Sequence, residues 1–332
     1  MNTFGNQFRV SIFGESHGDY VGITVDGCPA GLPLSPDDFL RDLGRRSSGA
    51  KGTTPRTEPD QVKFVSGVFN GYATGAPLTL MFENTNTRSR DYTKLREIPR
   101  PGHADFTAMK KYGGFEDYRG GGHFSGRLTL GLVAAGVIAK KLIKPAEVTA
   151  TLLEAGGKTD IEAAVEEAVN RQDSIGGIIG CSVTSVPVGL GEPFFDSVES
   201  LIAHIIFAIP AVKGIEFGSG FAASRMWGSE HNDMLISADG KTGTNNAGGI
   251  NGGISNGNDI GFRVAVKPTS STHRKQHTMN IATGLMTDLE IEGRHDTCIA
   301  LRVPPVVEAA TALVLADLMM QEGLIKRRYS SY

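Results

Sequence analysis

Two histidines stand in short polar segments rich in glycine, where a side chain and the backbone can meet a ligand together. His17 lies in residues 14–18, GESHG, between two segments that alternate like strands. His103 lies in residues 100–105, RPGHAD, beside the carboxylate of Asp105. An imidazole, with a pKa of about 6.5, can act as a general acid or base at neutral pH. Taken alone, each is more simply explained as a loop histidine.

Two further segments combine cations, hydroxyls and glycines. Residues 119–127 read RGGGHFSGR and run directly into an apolar helical pattern. Such a segment at a helix N-terminus can bind an anion, and a tight turn is the alternative. Residues 267–271 read KPTSS and are followed by Arg294, His295 and Asp296. One ammonium with three hydroxyls suits a phosphate, although a solvated loop explains that segment equally well.

A polar loop adds more positive charge to this set. Residues 47–61 have no apolar period and carry Lys51 and Arg56, directly after Arg45 and Arg46. Loops rich in arginine, histidine, serine and glycine indicate an enzyme for a small, multiply anionic ligand. Because no catalytic cysteine context and no metal-binding cluster is visible, proton transfer or an organic cofactor has to perform the chemistry.

Composition excludes several other classes of protein. The 332 residues include 33 Lys and Arg against 36 Asp and Glu, a net charge of -3, which excludes a generic basic surface for nucleic acid. Cys28, Cys181 and Cys298 are far apart, so neither a disulfide framework nor a structural zinc site is expected. The longest apolar stretch, residues 128–139, is too short to span a bilayer, and the start lacks a signal-peptide pattern. We therefore expect a cytoplasmic enzyme with neither nucleic acid nor membrane as partner.

Common nucleotide-binding motifs fail in context. Residues 218–223, GSGFAA, match GxGxxA, but no apolar helix follows them, which argues against a dinucleotide-binding fold. The Gly-Lys-Thr triplets at 157–159 and 240–242 lack the upstream glycine of a phosphate-binding loop.

The periodicity predicts two similar runs of elements around these loops. Strands are expected at residues 8–13, 21–26, 62–68, 77–83, 147–154, 177–186, 261–267 and 298–303, and helices at 35–46, 127–144, 160–171, 197–208 and 306–320. Residues 84–125 show little periodicity, which predicts a long functional loop. Residues 240–257 are rich in glycine and asparagine, so a hinge or domain boundary is the alternative there. We interpret the pattern as two related β-α-β halves around paired central helices.

Several motifs occur together in one order along the chain. They are GESHG at 14–18, SGVFNGYATG at 66–75, RPGHAD at 100–105, YRGGG at 118–122, NAGGINGGISNG at 246–257, KPTSS at 267–271 and GRHDTC at 293–298. This set resembles the chorismate synthase family from about residue 5 to 320. The resemblance implies an α/β (α+β) sandwich, with antiparallel sheets surrounding central helices and pseudo-two-fold β-α-β halves. It implies a single domain over residues 1–332, with halves at roughly 1–145 and 146–325, and a homotetramer.

The resemblance also implies a reaction. Family members are carbon-oxygen lyases that remove phosphate and a ring hydrogen from 5-enolpyruvylshikimate 3-phosphate, a trans-1,4 elimination that gives chorismate. They require reduced FMN, which is thought to lend electron density transiently as phosphate departs. The chain leaves open whether NADPH, as a reductant used by the protein itself, or an outside reductant supplies the electrons.

Roles carry over onto matching positions. The resemblance implies three catalytic residues: His17 as the acid for the leaving phosphate, His103 as the acid near flavin N1, and Asp296 as the proton acceptor near flavin N5. The implied FMN contacts are His123, Phe124, Ser125, Pro210, Ala211, Gly252, Lys267, Pro268, Thr269, Ser270, Ser271 and Arg294. The implied contacts to substrate or the nicotinamide nucleotide are Arg46, Lys51 and Arg127.

Three positions depart from the common family pattern. His123 and Phe124 stand where many members have Arg and Ser, and Pro210 stands where many have Asn. These changes keep two alternatives open: a flavin-binding module without elimination activity, and an NADPH–flavin oxidoreductase. With His17, His103, Asp296 and the KPTSS segment intact, we expect activity with an altered affinity for flavin.

Overall fold

A computed structural model describes residues 1–55, 58–86, 89–291, 293 and 295–330 of the chain, without the side chains of residues 89–91 and 93. Its strands are β1 Thr3–Phe4, β2 Arg9–Gly14, β3 Tyr20–Asp26, β4 Lys63–Ser66, β5 Val68–Phe69, β6 Tyr72–Ala73, β7 Leu78–Glu83, β8 Glu147–Ala155, β9 Gly177–Thr184, β10 Val212–Phe217, β11 Ile250–Asn251, β12 Ile254–Ser255, β13 Ile260–Val266, β14 Gln276–Asn280 and β15 Leu285–Leu289. Its α-helices are α1 Leu40–Arg46, α2 Asp105–Tyr112, α3 Thr129–Leu142, α4 Ile161–Asn170, α5 Val198–Ile206, α6 Gly228–His231 and α7 Pro304–Gln321. Short 3-10 helices cover Pro36–Phe39, Ser89–Arg96, Arg119–Phe124, Gly126–Leu128, Phe194–Asp196, Gly220–Arg225 and Ile299–Arg302.

Two antiparallel sheets form the outer layers of the fold. The first has the order β1-β2-β3-β7-β4 and the second the order β10-β13-β9-β8. In β3, Val21, Ile23 and Val25 are fully buried, as expected of a strand with one face on a core. The antiparallel sandwich that the resemblance implies is confirmed.

The helices α3 and α7 form the layer between the sheets. Nearly every side chain of α3 is buried, as is every one from Pro304 to Met320 in α7, and a helix that is apolar all round belongs in an interior. The helix α3 packs on β3, α7 packs on β8 and β9, and the two helices pack on each other. A Cβ atom at Gly136 would overlap Ala309, so this glycine permits the close approach of the helices.

The order of strands repeats between the two sheets. If β1 is set aside, each sheet has four strands, which can be counted in chain order: β2, β3, β4 and β7 in the first sheet, and β8, β9, β10 and β13 in the second. In both sheets the first strand pairs with the second, the second with the fourth, and the fourth with the third. A central helix follows the fourth strand in each case, α3 after β7 and α7 after β13. This agreement confirms the predicted pseudo-two-fold arrangement. The long connections from the fourth strand to the central helix, residues 84–128 and 267–303, carry most of the predicted site residues.

The helices predicted at 160–171 and 197–208 begin at the expected residues. The Asp160 and Ser197 side chains accept hydrogen bonds from the backbone at the starts of α4 and α5. The predicted strand at 298–303 is wrong, because Ile299–Arg302 forms a 3-10 helix that leads directly into Pro304 at the start of α7. Residues 84–125 contain α2 and two 3-10 helices rather than one irregular loop. Within the described ranges, no helix has the length and apolar character to cross a membrane.

A buried carboxylate near the C-terminal end of α7 binds the chain segment that precedes β2. Asp317 is 4% exposed and accepts hydrogen bonds from the backbone N–H groups of Asn6, Gln7 and Phe8, at 2.9, 2.6 and 2.8 Å. The Gln321 side chain donates to the same carboxylate at 3.1 Å. Asp317 therefore fixes the turn that leads into β2, the strand that ends just before His17.

Candidate active site

A run of glycines separates His17 from His103. Gly120, Gly121 and Gly122 have φ values of 60°, 81° and 52°, a left-handed region that favours glycine. A Cβ atom at Gly120 would overlap the His17 ring, and one at Gly121 would lie 3.2 Å from His103 Cε1. The two predicted acids thus lie against neighbouring residues of one surface, the glycine wall formed by Gly120, Gly121 and Gly122. The histidines can approach it this closely because glycine has no side chain.

The imidazole of His103 is held by a buried ion pair. Its Nδ1 lies 2.6 Å from Asp105 Oδ1 and 3.0 Å from a terminal nitrogen of Arg100. Arg100 also donates to both Asp105 oxygens at 2.8 Å and to Ser271 Oγ at 3.0 Å. Burial alone would raise the pKa of Asp105, but hydrogen bonds from Arg100 and His103 lower it well below its usual value. This cluster joins the RPGHAD segment to the KPTSS segment of the other half.

Tyr92 contacts both His17 and Arg100, the arginine that holds His103. Its aromatic ring meets the His17 ring edge to face, with centroids 5.2 Å apart, and the Arg100 guanidinium lies 5.9 Å from its centroid. His17 is buried, with 8% of its surface exposed.

Buried arginines form a second cluster at the start of α3. Arg46 is 4% exposed and donates to Thr129 Oγ1 and to the Gly126 carbonyl, both at 3.0 Å. Arg127 pairs with Asp60, and Arg46 lies 3.6 Å from the same carboxylate. Burial, followed by the charge of Arg302, lowers the pKa of Arg46 to about 9.

Asp296 extends this cluster from the second half of the chain. It pairs with Arg302 at 3.1 Å and accepts a hydrogen bond from the Thr54 backbone N–H at 2.9 Å. Arg302 in turn donates to the Arg46 carbonyl at 2.9 Å. Among the described residues, the charged groups of the cluster are Arg46, Arg127, Arg302, Asp60 and Asp296. These three guanidinium groups and two carboxylates carry an excess of one positive charge, which favours an anionic ligand.

Asn84 connects the arginine cluster to the loop of His17. Its side-chain nitrogen donates to the carbonyls of Glu15 and Gly18 at 3.0 and 2.8 Å, and its oxygen accepts from Arg127 at 2.9 Å. Asn84 directly follows β7, where the sequence offers no pattern to distinguish it from any loop asparagine. Together with Asp60, Tyr92 and Arg302, it is a site residue that the sequence analysis missed.

The KPTSS segment forms a polar cradle beside His103. Lys267 donates to the Gly102 carbonyl and to Ser270 Oγ, both at 2.9 Å, and burial, then the charge of Lys213, lowers its pKa. The Thr269 hydroxyl is buried, with no hydrogen-bond partner in the described part of the chain. An ammonium, two hydroxyls and one unsatisfied hydroxyl suit the phosphate and carbonyl groups of a flavin nucleotide. The residues present therefore fit the cofactor implied by the resemblance.

The remaining predicted residues differ in how they relate to this cradle. The Ala211 carbonyl accepts from the Lys267 backbone at 2.9 Å, and a φ of 74° at Ala211 turns the chain sharply after Pro210. The Lys51 ammonium pairs with Glu166 of α4 at 3.0 Å, on the protein surface. Gly252 lies in the β11–β12 turn, and among the described residues no hydrogen bond joins it to the cradle. The predictions for these residues remain untested.

The segment after the glycine run holds three more predicted contacts. His123 Nδ1 lies 2.8 Å from the Gly14 carbonyl at the end of β2. Ser125 Oγ accepts from the Arg127 backbone at 3.2 Å, and Phe124 is 37% exposed. Pro268 directly follows Lys267 and is exposed. The prediction for Arg294 lies outside the described residues.

Comparisons with known proteins agree with one another. The sequence profile of chorismate synthase matches residues 8–320. The chain is 64% identical to the chorismate synthase of Chitinophaga pinensis over 332 residues, covering all of both chains. It is 49% identical to that of Dehalococcoides mccartyi and 43% identical to that of Methanocaldococcus jannaschii, in each case over 98% of both chains. A crystal structure of chorismate synthase superposes with a TM-score of 0.73 at 24% identity, covering 96% of this chain and 93% of that one, which shows the common fold.

Proposed function

The chain belongs to the chorismate synthase family and is a lyase that forms chorismate from a small-molecule substrate; we propose that this substrate is 5-enolpyruvylshikimate 3-phosphate and that the reaction requires reduced FMN. In this trans-1,4 elimination the bond to the phosphate oxygen breaks and a ring hydrogen is lost. The observation that carries the proposal is the placement of His17 and His103 against Gly120 and Gly121, beside a cluster of buried arginines.

We assign His17 to the leaving phosphate. Its ring is buried between Gly120 and Tyr92, so a proton at its accessible side is directed into the site. A proton delivered there offsets the negative charge that develops on the phosphate oxygen. Arg46 and Arg127, with the surplus positive charge of their cluster, would hold the anionic groups of the substrate.

We assign the cradle of residues 267–271 to the cofactor. Lys267, Thr269 and Ser270 would hold FMN by its polar groups, and His103 would hold a proton at the flavin. When bound, reduced FMN supplies electron density as the carbon–oxygen bond breaks. Asp296 would accept the ring proton, with Arg302 keeping its carboxylate in place.

The test is an anaerobic assay of the purified protein. It is mixed with 5-enolpyruvylshikimate 3-phosphate and chemically reduced FMN, and chorismate absorbance and free phosphate are followed together. Equal appearance of both products is expected. FMN binding without either product would favour the flavin-binding module, and NADPH oxidation coupled to reduction of the substrate would favour the oxidoreductase. Adding NADPH with oxidised FMN decides whether the protein reduces its own cofactor.

Variants test the individual roles. His17→Ala and His103→Ala should each lose about two to four orders of magnitude in kcat with the fold intact, as expected when a general acid is removed. Asp296→Ala should bind FMN and lose turnover. Normal turnover in any of these variants would remove that residue from the mechanism.

We also propose that the chain is a single domain that assembles as a homotetramer and works in the cytoplasm. Large apolar side chains at the surface support assembly, since Phe194, Phe195 and Trp227 are 86%, 92% and 78% exposed. Light scattering after gel filtration measures the mass in solution, and a mass of about four chains is expected.

A further inference from the structure

His103 and His277 each place Nδ1 beside an aspartate, and the two pairs differ in their surroundings. In the exposed pair, His277 Nδ1 lies 2.9 Å from Asp288 Oδ1 on the β14–β15 hairpin, and both side chains are more than half exposed. In the site, Nδ1 of His103 lies 2.6 Å from Asp105 Oδ1, with side chains 21% and 11% exposed. Only the second pair is anchored by a buried arginine, Arg100, whose side chain is 5% exposed.

We propose that Asp105 is a positioning residue for His103: it accepts the Nδ1–H, which fixes the ring and leaves Nε2 as the atom that faces the reacting groups. This inference rests on the proposed function for its catalytic consequence, but not for its geometry. Nε2 points to the side of Gly121, where a Cβ atom would lie 3.4 Å from it. The orientation therefore places Nε2 in the direction where the glycine wall leaves space.

Arg100 holds the Asp105 carboxylate in place beside His103. Its Nε and one terminal nitrogen donate to the two Asp105 oxygens, so Asp105 cannot turn away without breaking a bidentate pair. That terminal nitrogen also lies 3.0 Å from His103 Nδ1, but it already donates to Asp105 Oδ1 at 2.8 Å. Because a carboxylate oxygen only accepts, the shorter 2.6 Å contact between Nδ1 and Oδ1 assigns the hydrogen to Nδ1. The other terminal nitrogen of Arg100 donates to Ser271 Oγ, which is 5% exposed. Because Ser271 belongs to the cofactor cradle, the orientation of His103 is tied to the segment proposed to hold FMN.

The charges that face His103 come from several elements. Arg100 and Asp105 lie on its own segment, and Lys267 lies 3.8 Å from where a Cβ of Gly102 would be. Glu116 and Asp117, from the segment before the glycine run, line a pocket that His103 and Asp105 also line. Asp105 is the one among these carboxylates with a hydrogen bond to the ring in the described structure, so it is the one expected to orient the ring.

Replacing the carboxylate by an amide tests the proposal. In Asp105→Asn a single oxygen has to serve both Arg100 and His103. If the oxygen serves Arg100, the amide NH2 faces Nδ1 and favours the Nε2–H tautomer. A wrong tautomer in a carboxylate–histidine pair can cost up to about 10⁴ in kcat. We expect about a 10- to 100-fold loss in kcat, with KM and the Kd of FMN changed less than about twofold, and recovery of most of the rate in Asp105→Glu.

Tautomers are read directly from ¹⁵N solid-state NMR of histidine-labelled protein without ligand. The His103 signal is assigned with His103→Gln, and the wild-type protein at high pH should show Nδ1–H. Asp288→Asn is the matched control, because it should change the signal of His277 and leave His103 and kcat unaltered.

The outcomes separate the two proposals. An Nε2–H tautomer in the wild-type protein overturns the positioning role, and so does an Asp105→Asn variant that loses rate with the tautomer unchanged. If the wild-type protein forms no chorismate, the proposed function fails, whereas the NMR result still decides what Asp105 does. Should Asp105→Asn not fold, the wild-type tautomer alone supplies the test.

Discussion

The wall between the histidines can be tested with a single methyl group. A Cβ atom at Gly120 would lie 2.1 Å from His17 Nδ1, about 1.4 Å closer than ordinary van der Waals contact of about 3.5 Å. The His17 ring therefore has to move by about 1 Å or more in Gly120→Ala. A misplacement of that size in a catalytic group costs about 10²-fold in rate. Because φ is 60° at this position, an alanine there also lowers the free energy of unfolding by about 1–2 kcal/mol.

A matched variant separates the two effects. Gly157 has a φ of 77° and no atom within 4 Å of an added Cβ, so Gly157→Ala carries the same backbone cost without touching a functional group. The assay measures chorismate formation at saturating substrate and reduced FMN, together with denaturant unfolding of both variants. Both should lose similar stability, and only Gly120→Ala should lose about 100-fold in kcat. A kcat of Gly120→Ala within about threefold of Gly157→Ala would refute the reasoning.

Three further predictions concern buried groups. Asp317→Ala leaves three backbone N–H groups unpaired and should lose about 3–5 kcal/mol of unfolding free energy, whereas Asp26→Ala, which removes an exposed ion pair with Arg9, should lose under about 0.5 kcal/mol in the same denaturant titration. The pKa of Asp105 is lowered in the folded state, so its contribution to stability is fully present above about pH 4 and is lost as the pH falls through the folded pKa. Below about pH 4, the unfolding free energy of Asp105→Asn should therefore fall less steeply with decreasing pH than that of the wild-type protein. Burial raises the pKa of the Cys28 and Cys181 thiols to about 12, so iodoacetamide at pH 8 should modify them only after denaturation, as mass spectrometry would detect.

Local patterns predicted most strands and the paired central helices, whereas the sandwich of antiparallel sheets was implied by the resemblance to the family. The unbroken apolar stretch of α3 predicts a buried helix, and Asp160 and Ser197 mark helix starts that the structure confirms. The 3-10 helix at Ile299–Arg302 was mistaken for a strand because its apolar residues alternate in the sequence as a strand would. Only the tertiary structure shows that this segment joins none of the sheets and leads directly into α7.

The site was predictable where it depends on short motifs and not where it depends on distant partners. His17, His103 and residues 267–271 stand in distinctive sequence contexts. Asn84, Asp60 and Arg302 do not, because each has a partner in the site more than 40 positions away along the chain. A basic loop also gives no indication of which cation faces the ligand.

The position of α7 has a consequence for how the chain acquires its structure during synthesis. The helix lies at the centre of the molecule, yet a ribosome produces it after both sheets. Until Pro304–Gln321 has emerged, the apolar side of α3 that carries Gly136 has no partner, and the second sheet lacks the helix that covers β8 and β9. Nascent chains that pause before this point expose two apolar surfaces at once, the condition under which incomplete proteins aggregate or recruit chaperones.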